Sequence, residues 1–311
     1  MAKKAYRVRN WREYNKALVE RGSITLWLNE SVIGTWYAPE EERKNRGRQR
    51  LYSDGAIECC ALLRLWFNKP LRATQGLMIS LLTLLKADLR VPSYSQISRR
   101  ERTLATQLKY SAKGAVHVVL DASGLKVFGE GEWKVRQHGY LKRRTWKKLH
   151  IGIDAETQEV VMMELTRNPM PDNKMLAILL DQYPHGITKV GGDKGYDSYD
   201  CHEEVGSRGA VSAINIQRRS KVRRLETDPG PPLVRDQIIR RVSEIGKKAW
   251  KEEIGYHRRS LVETSFFRFK TLFGCKLHAH SLENQKVEAL VCCNMMNRFT
   301  QLGMPESVPI N

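Results

Sequence analysis

The stretch Tyr256-His-Arg-Arg259-Ser-Leu-Val-Glu263-Thr-Ser-Phe-Phe-Arg-Phe-Lys270 decides how the rest of the chain is read. Its phenol, guanidinium, carboxylate and ammonium stand at offsets 0, 3, 7 and 14. At about 100° per residue these four groups fall within an arc of about 60° on one helix face. Leu261, Val262, Phe269 and Leu272 lie on roughly the opposite side, as a core requires, and Gly274 supplies a helix stop. A carboxylate among cations suits a place that holds both a divalent metal and a phosphate. The same residues also suit a solvated face carrying a Glu263–Arg259 pair at i,i+4.

The spacing Tyr-(2)-Arg-(3)-Glu-(6)-Lys resembles the signature of bacterial insertion-sequence transposases of the Asp-Asp-Glu class, matched here at Tyr256, Arg259, Glu263 and Lys270. Val118-Val-Leu-Asp121-Ala-Ser-Gly124-Leu-Lys126 resembles the segment carrying that class's first catalytic aspartate. Gly191-Gly-Asp193-Lys-Gly-Tyr196-Asp197 resembles the segment of the second. The resemblance runs from the basic N-terminal region to Gly303-Met-Pro-Glu-Ser307 and points to the insertion-sequence family numbered five. It implies an α/β fold: a ribonuclease-H-like catalytic core, a mixed sheet flanked by helices, preceded by an all-α helix-turn-helix-like DNA-binding domain. It also implies Asp121, Asp193 and Glu263 as catalytic residues and ligands of Mg²⁺ or Mn²⁺, two ions per active site.

The implied reaction is DNA transposition. Water frees a 3′-hydroxyl at each transposon end, and that hydroxyl attacks target DNA in the same site. Tyr256, Arg259 and Lys270 would hold terminal phosphates and unstacked bases. The implied partners are double-stranded DNA, as terminal inverted repeats and target, and a second copy of the chain, in a homodimer or larger synaptic complex. Two other readings stay open: a catalytically silent, transposase-derived DNA-binding regulator, and a related metal-dependent DNA nuclease.

Composition supports a polyanionic partner independently. The net charge is +19 over 311 residues, of which residues 1–110 carry +11 and the rest +8, so the excess is not confined to a tail. The length accommodates two domains, expected at 1–110 and 111–311. The cysteines (Cys59, Cys60, Cys201, Cys275, Cys292, Cys293) form two adjacent pairs with no C-x-x-C, which argues against a zinc ribbon and a disulfide framework. No targeting segment is evident, and the Leu77–Leu85 run is too short to span a bilayer. The expected location is the bacterial cytoplasm, at the nucleoid, with no membrane partner.

Periodicity predicts helices over Trp11–Arg21, Ile24–Tyr37, Ser53–Asn68 and Leu71–Ala87, with a charged connector near 39–50. Pro92-Ser-Tyr-Ser-Gln96-Ile-Ser-Arg99-Arg100 resembles a recognition helix, making Gln96, Arg99 and Arg100 candidate DNA contacts. Strands are expected at His117–Asp121, Lys148–Asp154, Glu159–Leu165, Ile187–Asp193 and Ala210–Ile216, with helices at Asn173–Tyr183 and Tyr199–Arg208. Asp121 and Asp193 then end two strands, so both project from one sheet edge. Residues 126–148 interleave basic residues with aromatics, making Trp133, Arg143, Arg144 and Trp146 further candidates. The segment 217–251, with 11 Lys/Arg against 4 Asp/Glu, is expected to be an irregular, mobile insertion. Asp154 and Asp197 read as turn formers, and histidines 138, 150 and 257 lie near the expected DNA path. Glu130 and Glu132 receive no role. Asn284–Leu302 reads as a packing helix.

Overall fold

The computed structural model describes residues 6–40, 50–104, 107–127, 146–225 and 228–310. The chain divides into two compact units: one runs to Gln107 and resumes at Ser281, and the other is Leu108–His280. Among the described residues no helix is long and apolar enough to cross a membrane. All six cysteines are free thiols, and only Cys275 is exposed.

The first unit opens with β1 (Tyr6–Val8), α1 (Trp11–Arg21) and α2 (Glu30–Gly34). The expected helix over Ile24–Tyr37 is broken. A 3-10 turn covers Ile24–Leu26, and Asn29 restarts the chain as a cap whose side chain accepts from the Val32 amide. Next come α3 (Asp54–Trp66), α4 (Leu71–Leu84) and α5 (Tyr94–Glu101). Ser53 caps α3, and Pro70 stands before α4, where its fixed φ and missing N–H do no harm. A capping box opens α5: the Ser93 side chain takes the Gln96 amide and the Gln96 side chain takes the Ser93 amide. A buried ion pair, Arg64 Nε to Glu101 Oε1 at 3.1 Å, ties α3 to α5.

The second unit is a mixed sheet flanked by helices. Its strands are β2 (Val116–Val127), β3 (Lys147–Asp154), β4 (Val160–Arg167), β5 (Ile187–Gly192) and β6 (Val211–Ile214), in the order β4-β3-β2-β5-β6. The first three form an antiparallel meander, while β5 runs parallel to β2 and β6 parallel to β5. Between them lie α6 (Leu176–Leu180), preceded by a 3-10 turn at Asp172–Met175, and α7 (Tyr199–Ser207). Val118, Leu120, Met162, Leu179, Val190, Tyr196 and Val205 belong to one buried cluster, so α6 and α7 cover one sheet face. After β6 come α8 (Val234–Ile245), α9 (Lys247–Glu253), α10 (Ser260–Phe273) and β7 (Lys276–Leu277), which pairs with the far end of β2. The 217–251 insertion is thus helical from Val234 onward, while its described residues before Val234 are irregular as expected. Buried Asp236 anchors its start by accepting from the backbone amides of Arg223 and Arg224.

The chain then returns to its first unit through α11 (Leu282–Leu302) and β8 (Ser307–Pro309), and β8 pairs antiparallel with β1. Phe299 meets the rings of Trp27 and Trp66 edge-on, with centroids 5.8 and 5.0 Å away. The expected boundary, with 111–311 as one domain, therefore differs from what forms. The buried Val291, Cys292, Met295, Met296 and Phe299 of α11 find their partners in the helical unit.

Candidate active site

Asp121 lies within β2, opposite Ile151 of β3, rather than at a strand end. Polar Asp-Ala-Ser-Gly breaks the apolar run after Leu120, but pairing with β3 continues to Leu125 and carries the strand on to Val127. The β2–β5 ladder stops at Val119 opposite Gly191. Two residues further along, Asp121 and Asp193 point to the same side of the sheet, because side chains alternate with period two. Asp193 is the first residue past β5, and its carboxylate accepts the Gly195 amide at 2.7 Å.

Glu263 stands in the first turn of α10, which buries Val262, Ser265, Phe266 and Phe269 and packs on β2 and β3. Three elements thereby place the charges of Asp193 and Glu263 where they act on Asp121. Burial chiefly raises the Asp121 carboxyl to about 6; the Ala122 amide opposes, the charge of Asp193 adds, Arg259 opposes and Glu263 adds.

The signature residues gather around these acids with one change of geometry. Tyr256–Arg259 is a 3-10 turn launched by Gly255 in the left-handed region (φ 67°), and α10 begins only at Ser260. Arg259 points Nη1 at Asp121 Oδ2, 3.7 Å away, and Nη2 bonds Glu263 Oε1. Lys270 Nζ donates to Ser123 Oγ at 2.6 Å, on the same face as Asp121 and two residues along. Tyr256 is half-buried, and its hydroxyl pKa is raised by burial; its ring carries Lys251 Nζ 4.9 Å from the centroid. Arg259 and Lys270 thus turn toward β2, while Glu263 stays exposed and pairs with Arg259 at i,i+4 as on a solvated face.

Other expected contacts are committed to the fold. The Gln96 side chain closes its capping box, and Arg100 binds Asp54 at 2.5 Å and the Tyr52 carbonyl at 3.0 Å. Arg99 remains exposed. The Trp146 ring lies over Gly124, where a Cβ would meet it at 3.0 Å, with Lys126 5.9 Å from its centroid. His150 is fully buried, with Nε2 2.9 Å from Thr166 Oγ1. Burial chiefly lowers its pKa to about 4, Asp172 opposing and Lys148 adding, so it is a neutral packing residue and not a DNA contact. Trp133, Arg143, Arg144, Glu130, Glu132 and His138 lie outside the described residues, as does the connector at 41–49.

Two site neighbours carry little signal in the sequence. Asp172 bonds Lys148 Nζ at 3.1 Å and flanks Gly195 across from Asp193. The Tyr196 hydroxyl is fully buried without a hydrogen-bond partner, in the field of Asp172, Asp121 and Asp193. Ser123 was recoverable from strand alternation with Asp121. Gly195 is also explained here: a Cβ would stand 2.9 Å from Asp193 Oδ1 and 3.4 Å from Asp172 Oδ2. Gly195→Ala is expected to displace the Asp193 carboxylate and lower any activity that depends on it by roughly ten- to a hundredfold, because small misplacements of reacting groups carry that scale of loss. The melting temperature should stay near wild type. Kinetics of that activity beside a thermal melt check this.

A family model described as Transposase DDE domain matches residues 112–298, more than half of the chain, and a second with the same description matches 19–130. The chain belongs to the DDE transposase family. Among solved structures it is similar to a piggyBac transposase synaptic complex with hairpin DNA, at 10% identity and TM-score 0.40, over 97% of this chain and 78% of that one. It is also similar to the Drosophila P element transposase strand transfer complex, at 15% identity and TM-score 0.29, over 58% of this chain and 42% of that one.

DDE domains generally work with divalent metal ions, and the acidic group can be tested against that need. Its donors are carboxylate oxygens, the ligands that hard divalent cations prefer. The orphaned Tyr196 hydroxyl beside them offers a partner for an oxygen of a filled site. Among the described residues, however, no three His, Cys, Asp or Glu side chains are gathered closely enough to hold an ion, and the Arg259 guanidinium stands between Asp121 and Glu263. The donor chemistry suits a divalent ion, and the cation that stands between two of the donors here is the Arg259 guanidinium.

The transposase therefore holds the Asp121 carboxyl above its ordinary range. A folded-state pKa of about 6 lies above the ordinary value of about 3.9, so this group withdraws stability as pH rises from about 4 through 6. Asp121→Asn is expected to stabilise the metal-free protein at pH 8 by on the order of 1–2 kcal/mol, discounted for partial exposure. The gain should vanish below about pH 4. Chelator-treated melts across this range check it.

Proposed function

We propose that this transposase binds the terminal inverted repeats of its own insertion sequence, cleaves the ends by metal-dependent hydrolysis and joins the freed 3′-hydroxyls to target DNA. The observation that supports the reading is that Asp121 in β2, Asp193 just past β5 and Glu263 in α10 lie near enough for the charges of Asp193 and Glu263 to act on the Asp121 carboxyl. The strand order, an antiparallel meander followed by two parallel strands, supports a ribonuclease-H-like core. The signature spacing supports the bacterial insertion-sequence family numbered five and a nucleoid setting.

Asp121, Asp193 and Glu263 would hold Mg²⁺ or Mn²⁺, two ions in this reading. When bound, such ions polarise the phosphodiester and stabilise both oxygens of an in-line displacement. Lys270, fixed on Ser123, keeps α10 in register with β2 and leaves a positive charge beside the site. The Arg259 fork matches a phosphate bidentately, and the half-buried Tyr256 offers a ring and one hydroxyl to a terminal nucleotide. The helical unit would read the end sequences as a helix-turn-helix-like module, with exposed Arg99, whose Nε donates to the Ser95 carbonyl, offering its remaining N–H groups to DNA. Trp133, Arg143, Arg144 and Trp146 would contribute phosphate and stacking contacts. Pairing two ends calls for a dimer or larger synaptic complex.

The test uses a duplex copied from the DNA flanking the coding region, incubated with the full chain and Mg²⁺ or Mn²⁺. The expected products are metal-dependent nicks with 3′-hydroxyl ends and, with target DNA present, strand-transfer products. Binding without cleavage would reassign the protein as a regulator, and cleavage without joining as a nuclease.

A further inference from the structure

The placement of Arg259 asks for more than a DNA contact. As the last residue of the 3-10 turn, it precedes α10 and reaches two of the acids at once. Nη1 stands 3.7 Å from Asp121 Oδ2 and Nη2 bonds Glu263 Oε1, while neither carboxylate has another cation within ion-pair distance among the described pairs. Lys270 is held by Ser123 and does not compete for them. Guanidinium has five N–H donors and no lone pair, so it can neutralise a carboxylate pair but cannot share an ion with it. Its positive charge and a divalent cation would also repel each other at this range.

We propose that Arg259 is the resident counter-charge of the unloaded acidic site and yields to the divalent ion by transferring its fork to a DNA phosphate. The proposal rests on the reading of Asp121 and Glu263 as ion ligands. A phosphate that draws Arg259 away uncovers both carboxylates, so DNA raises the affinity for the ion. By linkage, the ion raises the affinity for DNA by the same factor. One side chain then serves twice, positioning the phosphate and withholding the ligands until a phosphate is present. Arg259 acts in this as a gate on loading as well as a contact.

The test is calorimetric titration of the full chain with Mn²⁺, with and without the flanking-sequence duplex, for wild type, Arg259→Gln and Arg259→Lys. Without DNA, Arg259→Gln should bind Mn²⁺ roughly tenfold or more tightly than wild type, because one nearby positive charge is gone. Arg259→Lys keeps the charge without the fork and should fall between them. The duplex should tighten Mn²⁺ binding to wild type but barely alter it in Arg259→Gln. Equal or weaker Mn²⁺ affinity in folded Arg259→Gln overturns the proposal. Should that variant fail to fold, wild-type affinity indifferent to the duplex overturns it alone. Uptake of Mn²⁺ by none of the three, with or without DNA, overturns also the reading of the acids as ion ligands. Uptake without these differences leaves that reading standing and removes only the gate.

Discussion

Asp121→Asn, Asp193→Asn and Glu263→Gln transposases should each lose DNA cleavage and joining by a thousandfold or more while still binding the flanking-sequence duplex. Each change keeps the shape of the side chain and removes one negative charge from a cluster that three separate elements assemble. Loss of one carboxylate from an ion-binding set withdraws several kcal/mol of transition-state stabilisation, and each 1.4 kcal/mol, about, is tenfold in rate. The helical unit is untouched, so the loss should appear in the chemical steps alone. Single-turnover cleavage, strand transfer from a pre-cut end and a gel-shift titration separate the three quantities. An amide variant that transfers strands at near the wild-type rate would remove that acid from the proposed site.

The largest loss of stability should come from outside the acidic group, at Asp197. Its side chain is fully buried and accepts from Arg235 at 2.7 and 3.0 Å, from the Gln217 amide at 2.7 Å and at His202 Nε2, 3.1 Å away. Burial alone would raise the carboxyl; the bonds from His202, Arg235 and Gln217 outweigh it and hold the group well below the usual carboxylate range. Asp197→Ala would leave the Arg235 guanidinium buried without its partner, at a cost of about 3–5 kcal/mol. A carboxyl depressed in the folded state lends stability above its ordinary pKa of about 3.9 and loses it only as pH falls through the folded value. The gap between variant and wild type should therefore be flat from neutral pH down to about 5 and close only in strong acid. Urea melts at several pH values measure both points. His202 also stands 2.9 Å from Ser212 through Nδ1, but Ser212 and His202 are buried, so this chain of groups is structural.

Much of this was legible in the sequence where a period dominates. Val118-Val-Leu and the strand expected at Ile187–Asp193 read as strands from their local pattern, and α1, α3 and α4 followed from helical spacing. The juxtaposition of Asp121, Asp193 and Glu263 was approached through motif spacing, since no local pattern joins residues so far apart. What stayed hidden depends on distant partners. β2 outruns its apolar segment because β3 and β7 pair with its polar half. Asp197 reads as a turn residue until Arg235 arrives from α8. Asp172 and the Tyr196 hydroxyl follow no local rule, because what surrounds them is set by tertiary packing. The Met- and Cys-rich α11 revealed that it packs, but not against which unit.

That last helix has a consequence for how the protein is made. The catalytic unit is inserted into the helical one, whose later pieces, α11 and β8, leave the ribosome after it. Until Phe299 slots between Trp27 and Trp66, the helical unit lacks an aromatic whose removal from a core typically sacrifices about 3–5 kcal/mol. Prematurely terminated chains would thus carry an unfinished first unit and fall to proteolysis instead of accumulating as inactive competitors. Synthesis past the catalytic unit becomes a condition for folding the helices that precede it.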